Sequence, residues 1–151
     1  MRKQERYDDM RAHERGITLI ELLTVIVVLG ILAAIAVPSY RSYLIRANRS
    51  DAKSALLQLQ AAQEKFYIQN GAYTDKVKDA PPAGLGLPEI TTHGFYKISV
   101  TLAADKQSYT ATATPVENGG QDDDTRCGSF SITDTGQQKV SGDLGAIECW
   151  K

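Results

Sequence analysis

The chain has 151 residues, room for one domain and an appendage. Its 17 basic and 18 acidic residues give a formal net charge of −1, and without the first sixteen residues 12 basic and 14 acidic remain. That balance carries no bulk signal for nucleic acid, which favours a basic domain or stripe, and leaves room only for a local patch.

Residues 17–37 read ITLIELLTVIVVLGILAAIAV, 21 residues with one charge, Glu21. As a helix rising about 1.5 Å per residue, the run spans a hydrocarbon core of roughly 30 Å. Arg2, Lys3, Arg6, Arg11 and Arg15 precede it, and Arg41, Arg46 and Arg49 follow it. The positive-inside bias therefore places the N-terminus in the cytoplasm and the remainder outside. Two bland readings exist: a single-span anchor, and a secretory signal cut at Ala34-Ile35-Ala36. Neither explains a carboxylate in an apolar layer, where a charge is costly and points to function. Pro38, two residues past that cut, also tells against the signal.

Gly16-Ile17-Thr18-Leu19-Ile20-Glu21, leading into an uninterrupted apolar run, resembles the class III signal of type IV pilins and the related pseudopilins. Isoleucine stands at 17 where that family usually has phenylalanine. The resemblance implies cleavage after Gly16 by a dedicated prepilin peptidase, N-methylation of Ile17, and retention of the apolar helix. Cleavage frees an α-amine on Ile17, a group whose unperturbed pKa is about 8. In family filaments the carboxylate equivalent to Glu21 neutralises this amine on a neighbouring subunit. An unpaired buried charge is strongly penalised, so the pair acts as a check on subunit register.

Pro38 removes a backbone donor and predicts a kink in a helix that continues beyond it. Ala52, Ala55, Leu59, Ala62 and Phe66 recur at steps of three and four, an amphipathic stripe with Arg49, Lys53, Gln60 and Glu64 filling the polar positions. Asn70-Gly71 supplies the stop. A helix from Ile17 to Asn70 would be roughly 80 Å long, a shape suited to a filament with a helical core. Glu64 to Tyr67, then Gly71-Ala72-Tyr73, also resembles the helix exit of many pilins. Residues 74–93, with Pro81, Pro82 and Pro88, read as a loop. Strands are predicted over 95–102, 108–114 and 129–133, with a turn at Asp134-Thr135-Gly136 and a short return over 137–140.

Cys127 and Cys149 are the only cysteines. Beyond a membrane segment they face an oxidising space, where a disulfide is expected. Closing that loop would contribute about 3 kcal/mol by chain entropy. A reduced, buried pair is the alternative. Two cysteines without suitably spaced histidine or carboxylate partners do not make a zinc site. The segment from Cys127-Gly128 to Cys149-Trp150 resembles the C-terminal disulfide region of minor pilins of the PilE type.

No catalytic set presents itself, and an enzyme is not expected. His13 lies in the leader, and His93 reads as surface decoration. Asp122-Asp123-Asp124 raises calcium, which takes several oxygen ligands, but no EF-hand spacing follows and a solvated acidic loop is the favoured reading. Some minor pilins of this family capture DNA through a basic stripe near the disulfide. Here Arg126, Lys139 and Lys151 face Asp122, Asp123, Asp124, Asp134, Asp143 and Glu148. An acidic neighbourhood repels phosphate, so DNA is not the favoured partner.

The expected fold is α+β: a long N-terminal helix, transmembrane then amphipathic, packed on a roughly four-stranded antiparallel sheet with a C-terminal disulfide region. Residues 1–16 are the expected leader, 17–44 the transmembrane and filament-core helix, and 45–151 a periplasmic globular domain. The resemblance implies a structural subunit of a type IV pilus, a minor one, without cofactor or metal. Its partners would be other pilin subunits, prepilin peptidase, the inner-membrane assembly machinery and the membrane. It would reside in the inner membrane before assembly and in an extracellular pilus afterwards. A type II secretion pseudopilin and a DNA-receptor minor pilin are the alternatives.

Overall fold

The computed structural model describes residues 16–151. They form an α+β arrangement of α1 (Leu19–Asn70), β1 (Tyr96–Leu102), β2 (Tyr109–Pro115), β3 (Phe130–Thr133), β4 (Gln138–Val140) and α2 (Ala146–Trp150). The chain divides into two compact units, one ending at Tyr40 and the other covering Arg41–Lys151. The predicted leader lies almost wholly outside the described residues; only Gly16 falls within them.

Thr18 starts α1. Its hydroxyl accepts the Glu21 amide at 3.2 Å and its carbonyl accepts the Leu22 amide at 3.1 Å. The helix runs on through Pro38 to Asn70. There Gly71, at φ 70°, takes the left-handed conformation that ends it, its amide donating to Tyr67 O at 2.8 Å.

In the first unit the apolar residues from Ile17 to Val37 are exposed. A continuous apolar surface of this kind is stable only against lipid or other protein. The segment is long and apolar enough to cross a membrane by length and composition.

The second unit has its own core. The face of α1 that packs inward is centred on Ala52, Leu56, Leu59 and Gln63, all buried. The amphipathic stripe read from the sequence shares Ala52 and Leu59 with this centre. Ala55, Ala62 and Phe66 sit at its margin and Leu56 fills the middle. Gln63 is fully buried because its amide imitates a backbone. Its Nε2 donates to Thr74 O at 2.5 Å and its Oε1 accepts Thr74 N at 3.2 Å, tying the post-helix loop to α1.

The sheet is an antiparallel meander in the order β1-β2-β3-β4. Its inner face alternates as period-two burial requires: Tyr96 and Ile98 on β1, Tyr109, Ala111 and Ala113 on β2, Phe130 and Ile132 on β3. Register sets Ala113 between Ile98 and Phe130, and pairs Ala111 with Ile132, so small residues sit beside large ones. Both sheet edges are covered, which protects unpaired strand groups from other chains. Ile98 N donates to Glu89 O at 2.6 Å on the β1 side, and Trp150 Nε1 donates to Lys139 O at 3.3 Å on the β4 side.

Candidate functional site

Two regions carry the candidate residues, one in each unit.

In the first, Gly16, Ile17 and Thr18 precede the first helical residue, so the Gly16–Ile17 bond lies outside the helix. Ile17 is exposed, and a Cβ placed on Gly16 would meet no atom of the described residues within 4 Å. Glu21 occupies the third helical position, three residues after the cap. Thr18-x-x-Glu21 is therefore a capping-box sequence, and a carboxylate there also favours the positive end of the helix dipole. This local role for Glu21 was legible in the sequence as threonine followed by glutamate at that spacing. The apolar run that follows masks it. Among the described residues Glu21 has no cationic partner.

In the second, Cys127 and Cys149 are joined by a disulfide. Both are buried, and the bond links the loop before β3 to α2. The loop is fixed by an ion pair that the sequence did not announce. Arg49 Nε donates to Asp124 Oδ2 at 2.7 Å and Arg49 Nη2 to Asp124 Oδ1 at 2.8 Å. The two side chains are 9% and 1% exposed, so this fork excludes water. Asp124 Oδ1 also accepts the Cys127 amide at 3.3 Å, and Gln121 Nε2 donates to Ile45 O at 3.0 Å.

These contacts correct the expectation of a solvated acidic loop at Asp124 alone, since Asp122 and Asp123 are exposed. Asp124 is held inside by Arg49, Asp123 pairs with Arg41 at 3.2 Å, and Asp122 Oδ2 accepts the Asn118 amide at 3.1 Å. The three carboxylates therefore turn to three different partners instead of converging. Among the described residues no group of three His, Cys, Asp or Glu side chains is placed to hold a metal. Arg49, read as a polar filler on the helix, is buried for the same reason.

The local charge balance changes with them. Asp123, Asp124 and Glu148 are each paired with a cation, Glu148 with Lys151 at 2.5 Å. Lys139 and Arg126 form no ion pair among the described residues. Lys53 donates to the Lys151 carbonyl at 2.6 Å. Burial first, and then the Arg49 charge, lowers its pKa. His93, expected as decoration, has its Nδ1 3.0 Å from Oδ1 of the buried Asp51.

A tyrosine cluster closes the far end of the core. Tyr73 lies 4.6 Å from Tyr67 and 4.8 Å from Tyr109, ring centre to ring centre. Desolvation, with Glu64 accepting its hydrogen bond, pushes the Tyr73 phenol up to about 12. Desolvation also raises Tyr96 and Tyr109.

Comparison with known proteins adds the following. Residues 38–131 match a family described as type IV minor pilin ComP, DNA uptake sequence receptor, and residues 11–37 match the prokaryotic N-terminal methylation motif. The type IV major pilin protein PilA of Myxococcus xanthus is 35% identical over 124 residues, covering 80% of this chain and 54% of that protein. The type IV major pilin protein PilE1 of Neisseria gonorrhoeae is 37% identical over 94 residues, 62% of this chain and 42% of that one. The chain thus spans about half the length of these curated relatives. A solved type IV pilin from Shewanella oneidensis aligns over 71% of this chain and 98% of its own, at 23% identity and a TM-score of 0.49.

Proposed function

The chain belongs to the type IV pilin family, and from that footing we propose that it is made as a precursor, cut after Gly16, and built into a surface filament as a minor subunit. The observation that carries this reading is the arrangement at the N-terminus. The Gly16–Ile17 bond lies outside the helix and leads directly into a capped apolar helix with a single carboxylate at its third position. The apolar segment would hold the precursor in the inner membrane with its N-terminus cytoplasmic. Prepilin peptidase would then free and methylate the Ile17 amine. In the water-excluded filament interior, that cation and Glu21 of an adjoining subunit would satisfy one another. An unpaired partner would be rejected at docking.

Capture of duplex DNA by the globular unit is the further part of the reading, although charge counting on the sequence disfavoured it. The family description names a DNA uptake receptor. In the acidic loop Asp124 is enclosed with Arg49, and Asp123 lies beside Arg41 on the surface. A strain lacking the gene, complemented or not, tests both parts. The protein should appear in the sheared filament fraction, and uptake of labelled DNA should fall without it. Absence from sheared filaments would refute the filament role; undiminished uptake would refute the receptor role.

A further inference from the structure

The four strands contain no aspartate or glutamate. On the sheet face turned away from the core, residues of all four strands fall into register. Ser99 pairs with Thr112, Thr112 with Ser131, and Ser131 with Lys139. The adjoining row pairs Lys97 with Thr114. The inward neighbours Tyr96, Ile98, Ala111, Ala113, Phe130 and Ile132 are buried, which turns this set outward.

The side chains of Ser99, Thr112, Thr114 and Ser131 make no hydrogen bond among the described residues, and neither lysine makes an ion pair there. This contrasts with the row nearer the β3–β4 turn, where the Thr133 hydroxyl is engaged by Thr135 and Gln137 and Asp134 adds a negative charge. The result is an outward surface of hydroxyls without partners among the described residues, half-buried at Thr112 and Ser131, with a lysine on each edge strand. It lies on a part of the protein that is otherwise slightly acidic.

We propose that this face, the row Ser99–Thr112–Ser131–Lys139 with Lys97 and Thr114 beside it, is where the globular unit grips the phosphate backbone of duplex DNA. The proposal rests on the DNA-capture reading above. Hydroxyls and lysines are among the side chains that contact phosphate oxygens and position a protein without reading sequence. A sugar polymer fits less well, because the six side chains include no aromatic ring to stack on it. Three inter-strand spacings of about 4.8 Å carry the row across roughly 14 Å, the axial rise of about four base pairs. The face therefore serves as a sequence-independent grip.

The test uses the full chain purified in detergent and a fluorescent duplex of mixed sequence, with binding followed by anisotropy across a salt series. Losing two phosphate contacts should flatten the log–log salt slope by roughly 2, because each contact contributes about 0.9. K97Q/K139Q should show that change, and weaken binding equally for two duplexes of unrelated sequence. K65Q/K78Q alters charge by the same amount elsewhere on the surface and should leave the slope as it was. S99A/T112A/S131A should weaken binding with the slope intact, showing that the hydroxyls contribute. A wild-type slope for K97Q/K139Q, or an equal change in K65Q/K78Q, overturns this face while leaving DNA capture standing. No binding of duplex by the wild-type chain overturns DNA capture itself, and this proposal with it.

Discussion

Arg49 holds Asp124 through two hydrogen bonds, at 2.7 and 2.8 Å, across 75 residues of chain. The pair joins α1 to the loop that leads into the disulfide. Its carboxylate also fixes the Cys127 amide, so helix, loop and cysteine are positioned together.

Removing one partner leaves the other as an uncompensated buried charge. Arg49→Met or Asp124→Ala should therefore lower stability by about 3–5 kcal/mol, whereas R49M/D124L should recover most of that loss. Thermal melting of the full chain in detergent checks this. A double variant as unstable as the single ones would mean that the fork serves geometry and not charge compensation.

The disulfide encloses 22 residues of separation. Replacing both cysteines, C127S/C149S, should lower stability by about 3 kcal/mol on chain-entropy grounds and reduce the exported amount. Peptide mapping without reductant should recover the two cysteines as one linked species. Free thiols in the exported protein would contradict the account.

Alkaline pH should unfold the globular unit through its phenols. The folded pKa of Tyr73 is raised from 10.0 to about 12, and Tyr96 and Tyr109 are raised too, so folding favours their neutral forms. That stability is fully present below the unfolded value near 10 and is lost as pH climbs toward and through the raised folded values. Phenolate absorbance and circular dichroism should change together above about pH 10. Ionisation of all the tyrosines near 10 with the fold intact would contradict the buried cluster.

Much of the fold was legible because it rests on period and punctuation. The alternation Tyr96, Ile98, then Ala111, Ala113, then Phe130, Ile132 reads directly as one buried sheet face, and Asn70-Gly71 ends the helix as expected. Burial of Arg49 and Gln63 was not legible. Each is a polar residue whose partner, Asp124 or Thr74, becomes a neighbour only after folding. The short helix Ala146–Trp150 has too few residues to show a period. At the N-terminus the methylation motif was plain, while the cap from Thr18 was hidden in the same six letters.

Glu21→Gln separates the charge of this residue from its place in the helix. Glutamine also serves at the third position of a capping box, so insertion and helix start should persist. Incorporation into filaments should fall about tenfold or more, equivalent to about 1.4 kcal/mol or more lost on docking. The ratio of sheared-filament to membrane protein measures it. A ratio equal to wild type would mean that the charge pair with the Ile17 amine is dispensable.

The central claim, that the apolar helix is kept and its new terminus enters the filament, is tested most directly by the intact mass of the subunit from sheared filaments. The account predicts a chain beginning at Ile17 and carrying one added methyl group. A chain beginning at Val37, or one still bearing residues 1–16, would contradict it.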